Sequence, residues 1–300
     1  MDVQLEITGF AGMNNFEDAK RLKGPTVSSK SMTAECASII NADIDDTMAA
    51  ILRQGVTLQH ATTTAHSLDP SGSGYYVDGT FNIINPDYSI TPLYYLQNSV
   101  NKMSYTKVNY LTVCSNGVDL FMAQGPAIMQ FTTPTALNKG PIKPATIVRH
   151  YQRRLWYAIG PMLFYSDPDN IEQRDTREKP FVFKAPIDMI LPLDNGIYVG
   201  ADKIYWLAGR EPRQMSIPGV AYDMPAVAGT DRVFDGSLIK TGGKWGAFVA
   251  TDGVCLCSDG GQITNVTIRT LLFSNGKYGS ALIKKDAGVY GNINQYIAWV

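Results

Sequence analysis

The chain has three imidazoles, His60, His66 and His150. None stands in the His-x-x-x-His or His-Glu-x-x-His spacing that sets two ring nitrogens on one helix face around zinc. No Gly-x-Ser-x-Gly turn presents a serine nucleophile. The glycine stretches SGSG (71–74) and TGGKWG (241–246) lack the spacing of a phosphate-cradling loop and read as hairpin turns. Asn41, Asp43 and Asp45 alternate, so an extended backbone places them on one side. Such oxygens suit calcium, but this is not the twelve-residue loop that usually holds it. Asp167 and Asp169 in YSDPDN read as turn residues bonding to their own backbone. The four cysteines, at 36, 114, 255 and 257, do not form a disulfide framework; Cys255 and Cys257 share one face of a strand and read as small core residues. No catalytic residue, cofactor or metal is expected.

The strongest polar feature is RHYQRRLWY (149–157), where Arg149, Arg153 and Arg154 alternate with aromatics. Guanidinium groups in such a run meet phosphates or an acidic protein surface; the plainer reading is a charged turn between two strands. Lys139, Arg174 and Arg177 lie in two irregular stretches, TTPTALNKGPIKP (132–144) and SDPDNIEQRDTREKP (166–180). The first reads as an extended connection between blades, with a protruding loop that meets a partner as the alternative; the second reads as a long exposed loop. These six cations are the candidate interface residues. Trp206, Trp245 and Trp299 stand at hairpin ends, as core or interface aromatics. The whole chain carries 26 basic and 27 acidic residues, so a nucleic-acid-binding domain is not expected. Charged residues make up only 18%, a surface that suits partners.

The elements that must position these groups are hairpins. YYVDGTFNII (75–84), YLTVCSNGVDLF (110–121), LWYAIGPMLFYS (155–166), GIYVGADKIYWLAG (196–209), GAFVATDGVCLC (246–257) and ALIKKDAGVYG (281–291) each place strand-forming runs around a turn. Their turns, indexed at Gly79, Gly117, Gly160, Ala201, Gly253 and Gly291, are spaced by 38, 43, 41, 52 and 38 residues. Repeats of that length with several short strands indicate an all-β β-propeller, six-bladed by this count, with five or seven as neighbouring solutions. Residues 65–69, 102–108 and 186–193 read as first strands of blades. Residues 34–61 and 281–300 are expected to close the ring together in one blade, which removes the open edges. Residues 1–33 read as an extended N-terminal arm and 34–300 as the propeller domain. DIDDTMAAILRQG (43–55) also fits a short capped helix, with the strand-and-turn reading preferred. The N-terminus MDVQLEITGF lacks the pattern of a secretion signal, and no apolar run reaches membrane-spanning length.

Several phrases occur in a telling order. GFAGMNNFEDAKRL opens the chain; NADIDDTMAAILRQG and AHSL follow. VNKMSYTKVNYLTVCSNG and RRLWYAIGPMLFYSDP occupy the middle, then MILPLDNGIYVGADKIYWLAGREPRQM, GGQITNVTI and NQYIAWV. Their order, over roughly residues 9–300, resembles a family of tailed-bacteriophage virion proteins found in phages and prophages, often of the short-tailed kind. The resemblance implies a β-propeller-like structural component of the tail or head–tail axis, made in the host cytoplasm and carried in the virion. It implies other tail or connector proteins as partners, several copies around the tail axis, a passing contact with genomic DNA, and no catalytic signature. AAILRQG is less basic than the family's arginine-rich phrase, which weakens the case for nucleic acid there. The segment after residue 131 is short, as if an appended domain of longer relatives were missing. Two other readings remain: a propeller hydrolase acting on host surface polysaccharide, which needs converging carboxylates, and a host-encoded binding scaffold.

Overall fold

The computed structural model describes residues 9–13, 26–28, 31–36, 42–44, 50–52, 62–215, 219–239, 241–267, 273, 278–288 and 291–299. Ahead of residue 62 stand β1 (Gly9–Met13), β2 (Thr26–Ser28), β3 (Ser31–Cys36), β4 (Ala42–Ile44) and β5 (Ala50–Leu52). β3 pairs parallel with β1 and antiparallel with β2, so it crosses the expected 33/34 boundary, and part of the expected arm is strand. β4 and β5 pair antiparallel, which is the strand reading for the described part of 43–55; residues 45–49 and 53–55 lie outside the described residues. Asp43 lies in β4, whereas Asn41, Asp45 and His60 fall outside the described residues.

Five antiparallel meanders follow in chain order. Sheet A is β6 (Tyr75–Asp78), β7 (Thr80–Ile84) and β8 (Ile90–Tyr94), with His66 bridging Val77 in the place of a first strand. Sheet B is β9 (Ser104–Val108), β10 (Leu111–Ser115), β11 (Leu120–Gln124) and β12 (Ala127–Gln130). A short strand, β13 (Lys139–Pro141), precedes sheet C, made of β14 (Ile147–Tyr151), β15 (Arg154–Ile159) and β16 (Met162–Tyr165). After β17 (Gln173–Asp175), β18 (Phe181–Val182) completes sheet C. Sheet D is β19 (Met189–Pro192), β20 (Gly196–Gly200), β21 (Ile204–Ala208) and β22 (Val220–Tyr222). Sheet E is β23 (Arg232–Asp235), β24 (Lys244–Ala250), β25 (Gly253–Ser258) and β26 (Ile263–Asn265). Last come β27 (Ser280–Gly288) and β28 (Gly291–Trp299), paired with each other. The chain is therefore all-β, in a propeller-like succession of small antiparallel sheets. Five of the six indexed turns fall at the hairpin between the second and third strands of sheets A to E. Gly79 and Gly160 adopt φ of 68° and 56°, which glycine reaches without steric cost.

Consecutive sheets pack face to face, and strand alternation explains how. In β10, Val113 faces sheet C while Cys114 faces sheet A. In β20, Ile197 and Val199 enter the cluster shared with sheet C, and Tyr198 enters the one shared with sheet E. All five residues of β20 are buried. Cys255 and Cys257 are buried in the D–E cluster, as the shared-face reading expects, and Trp206 packs there against Tyr198. First strands neighbour first strands: β9 lies beside β14, β14 beside β19, and β19 beside β23, so they form the hub. Side chains satisfy their free backbone edges, with Val148 N–H donating to Ser104 Oγ at 3.1 Å and His150 N–H to Thr106 Oγ1 at 2.9 Å.

Candidate functional site

The two irregular stretches meet. β13 pairs antiparallel with β17, placing Lys139 opposite Asp175, Gly140 opposite Arg174 and Pro141 opposite Gln173. The expected long exposed loop is therefore half of a ribbon, and residues 171–175 are half-buried. Thr132 N–H donates to Glu172 Oε2 at 2.9 Å and Thr176 N–H to Asn138 O at 2.9 Å, tying the ribbon at both ends. Asp167 and Asp169 correct the expectation of purely local turn bonds. Asp167 takes Lys139 Nζ at 2.6 Å and Gln173 Nε2 at 3.0 Å, and Asp169 pairs with Arg153. The local backbone bonds come instead from Asn170 and Asp175, which accept from the N–H groups two residues on.

Between this ribbon and the loop after β21 lies a cleft of about 520 Å³. Lys139, Arg154, Tyr165, Asp167, Asp175, Glu178, Glu211 and Arg213 supply its charged and phenolic lining. Each of these ionic groups has an opposite neighbour. Lys139 sits between Asp167 and Asp175, Arg177 grips Asp175 at 2.6 Å, Arg213 takes Glu178 at 2.5 Å and Arg154 takes Glu211 at 3.2 Å. The Tyr165 hydroxyl donates to Glu178 Oε2 at 3.0 Å. Hydrogen bonds from Arg177 hold Asp175 well below the usual carboxylate range, and Arg213 does the same for Glu178 more mildly. Burial, followed by the hydrogen bond to Glu178, pushes Tyr165 up to about 12. A carboxyl pushed upward by burial does exist, Asp188, but it precedes β19 and does not line the cleft.

The six candidate cations divide. Lys139 and Arg154 line the cleft, Arg177 grips its Asp175, and Arg174 lies over the Phe164 ring at 5.0 Å. Arg153 stands in the turn between β14 and β15, where Gln152 and Arg153 both adopt left-handed φ, at 47° and 64°. This is the charged-turn reading of the basic run. Arg149 is elsewhere, at the hub, paired with Asp231 at 2.7 Å. Glu178, Glu211 and Arg213 were not singled out from the sequence; Glu178 lies in the charged 166–180 stretch and Glu211 and Arg213 in GREPR (209–213), and only the fold brings the two stretches to one cleft. His66 ties separate segments, its Nε2 bonded to Ser99 O at 2.8 Å and its Nδ1 to Ser67 Oγ at 2.8 Å, and His150 is held below its ordinary value by burial. Trp245 is half-buried, and Trp299 ends β28. Among the described residues, no group of three or more His, Cys, Asp or Glu side chains gathers as metal ligands, and no helix is long and apolar enough to cross a membrane.

No known family model matches the chain, and no curated protein matches it either. Among solved structures, it is similar to a gluconolactonase of Xanthomonas campestris at 12% identity and TM-score 0.38, over 71% of this chain and 75% of that one. It is also similar to PorZ, a bacterial surface component of the type-IX secretion system of Porphyromonas gingivalis, at 10% identity and TM-score 0.40, over 86% of this chain and 35% of that one. A third is BBS1N, solved in complex with ARL6DN, at 12% identity and TM-score 0.37, over 79% and 92%. These likenesses assign neither a family nor an activity.

Proposed function

We propose that the chain is a non-enzymatic structural component of a bacteriophage tail or head–tail axis, acting by rigid contact with other virion proteins and with copies of itself around that axis. The observation that carries the non-enzymatic reading is the self-neutralised cleft. Hydrolysis of a glycosidic bond needs a carboxyl held protonated by a raised pKa. Asp175 and Glu178 are driven the opposite way by Arg177 and Arg213. The virion setting rests on the ordered sequence phrases. The ribbon and the rim around it, with Arg153, Arg174 and Arg177, form the contact surface in this reading.

The finer architecture in this reading is six units, the sixth built from both ends of the chain. Its support is burial. Tyr76 and Asn82, on the face of sheet A turned away from B, are 6% and 4% exposed; Ala247 and Val249, on the face of sheet E turned away from D, are 0% exposed. A sheet buried on both faces needs a neighbour on each. The Tyr296 hydroxyl of β28 donates to Thr230 O at 2.6 Å, so the last hairpin stands beside sheet E. Among the described residues, no ladder joins β4 or β5 to β27 or β28, and packing rather than pairing carries this part of the proposal.

Reconstruction of purified particles by cryo-electron microscopy tests both parts. Copies of this chain seated on the tail axis, with the ribbon against a neighbour, are the expected result. Absence of the chain from purified virions overturns the setting, and depolymerisation of host surface polysaccharide by the purified chain overturns the non-enzymatic role.

A further inference from the structure

Arg149 makes the least expected contact in the molecule. It belongs to β14, the first strand of sheet C, yet its Nη2 meets Asp231 Oδ2 at 2.7 Å, one residue before the first strand of sheet E. Sheet D lies between those two sheets in the succession. The pair is enclosed, with side chains 20% and 6% exposed. The other terminal nitrogen of Arg149 donates to Ser104 Oγ of sheet B at 3.1 Å and to Val148 O at 2.9 Å. One guanidinium thus touches the hub strands of sheets B and C and reaches the start of sheet E.

The surroundings reinforce the placement. Arg232 Nη1 donates to Asp231 O at 2.6 Å, and Tyr296 from the last hairpin bonds to Thr230 O. Thr230 Oγ1 accepts from Val249 N–H at 3.0 Å, which fixes the segment bearing Asp231 to the middle of sheet E. Arginine suits this position because its planar fork serves several acceptors at once.

We propose that Arg149 is an inter-sheet lock. It crosses between the first strands and holds non-neighbouring sheets at a fixed spacing, so that the sheets open together rather than one at a time. This device is independent of where the chain works. A buried pair adds little net stability over an apolar filling, but removing one partner strands the other charge.

The test is a double-mutant cycle on the full chain with Arg149→Met, Asp231→Asn and both together, read by thermal melting and by hydrogen exchange. The lock requires each single variant to melt about 6–20 °C below the parent, with the double no worse than the poorer single. It also requires amides of β14 and β23, 85 residues apart at their first members, to lose protection together in Arg149→Met. Additive melting losses, or faster exchange in β14 with β23 unchanged, overturn the lock. Should Arg149→Met fail to fold, Arg149→Lys, which keeps the charge and loses the fork, carries the same exchange test.

Discussion

Replacing Gly196 by alanine should damage the fold more than its single methyl suggests. Gly196 opens β20, opposite Ala208 in the ladder with β21. A Cβ there would stand 2.5 Å from Leu207 O and 2.5 Å from Cζ2 of Trp206. Neither neighbour can yield easily. The carbonyl belongs to the adjacent strand, and the indole is packed on Tyr198 with ring centroids 4.4 Å apart. Gly261 closes the other approach, since a Cβ on it would lie 2.8 Å from Cδ1 of the same indole. Overpacking of this kind costs about 1–3 kcal/mol. For a chain of this size each kcal/mol moves Tm by about 2–4 °C, so a fall of about 2–12 °C is expected. Gly160→Ala is the comparison: a Cβ there meets nothing within 4 Å, and its φ of 56° leaves strain as the sole penalty, about 1–2 kcal/mol. Calorimetric melts of both variants, with near-ultraviolet circular dichroism to follow Trp206, decide the matter. A Gly196→Ala protein melting within about 2 °C of the parent, or above Gly160→Ala, would refute the close-packing argument.

Other substitutions and titrations read separate parts of the molecule. Ser115→Ala leaves the Ala145 N–H, which donates to Ser115 Oγ at 2.9 Å in a buried setting, without a partner; urea melts should show a loss of about 1–3 kcal/mol at unchanged slope. Burial pushes Tyr157 up to about 12, and Tyr165 likewise with help from Glu178. The folded state therefore disfavours their phenolates. Stability should be intact below the ordinary 10.0 and decline as pH rises toward 12, seen as phenolate absorbance that lags in the folded protein and unfolding that follows it. Burial also raises the Cys114, Cys255 and Cys257 thiols, so a disulfide reagent should leave all three untouched until the chain is denatured; labelling of any of them in the native protein would count against the packing of their clusters.

The hairpins were legible because their signal is local. Asp-Gly or Asn-Gly marks a turn whatever surrounds it, as at Gly79, Gly117 and Gly253, and the short polar or Gly-Pro breaks at Ala201 and Gly160 do the same, so five turns locate the middle of each meander. Interfaces were harder to read. Strands buried on both faces, such as GIYVG, lose the polar alternation that would reveal which side faces which sheet. The basic run was legible as a turn but not as three destinations. Successive strand residues point to opposite faces, so neighbours in sequence part company: Arg149 goes to the hub, Arg153 to the rim and Arg154 to the cleft wall. The ribbon left almost no trace. Its strands are three residues each, one contains Pro141, and they are joined only by the fold of sheet C.

The ribbon also changes what a deletion can test. Removing residues 166–180 would take Ser166, whose Oγ accepts from the buried Leu155 N–H at 2.9 Å, together with β17 and the Glu178 partner of Arg213. Such a chain would lose structure before it lost a partner. A narrower cut separates the two. Asp167 N–H donates to Gln173 O at 2.9 Å, so residues 168–172 form an excursion whose ends already meet. Replacing them with Gly-Gly keeps both ribbon strands and removes the Asp169–Arg153 and Glu172–Thr132 contacts. The loss of half-buried Ile171 from the B–C cluster costs about 1 kcal/mol, a shift of a few degrees in Tm. If the ribbon is the contact surface, this variant folds, as circular dichroism will report, and no longer enters particles in a complementation assay. Normal incorporation of the folded variant would move the contact surface away from this excursion, because the substitution alters the rim while leaving the sheets beneath it in place.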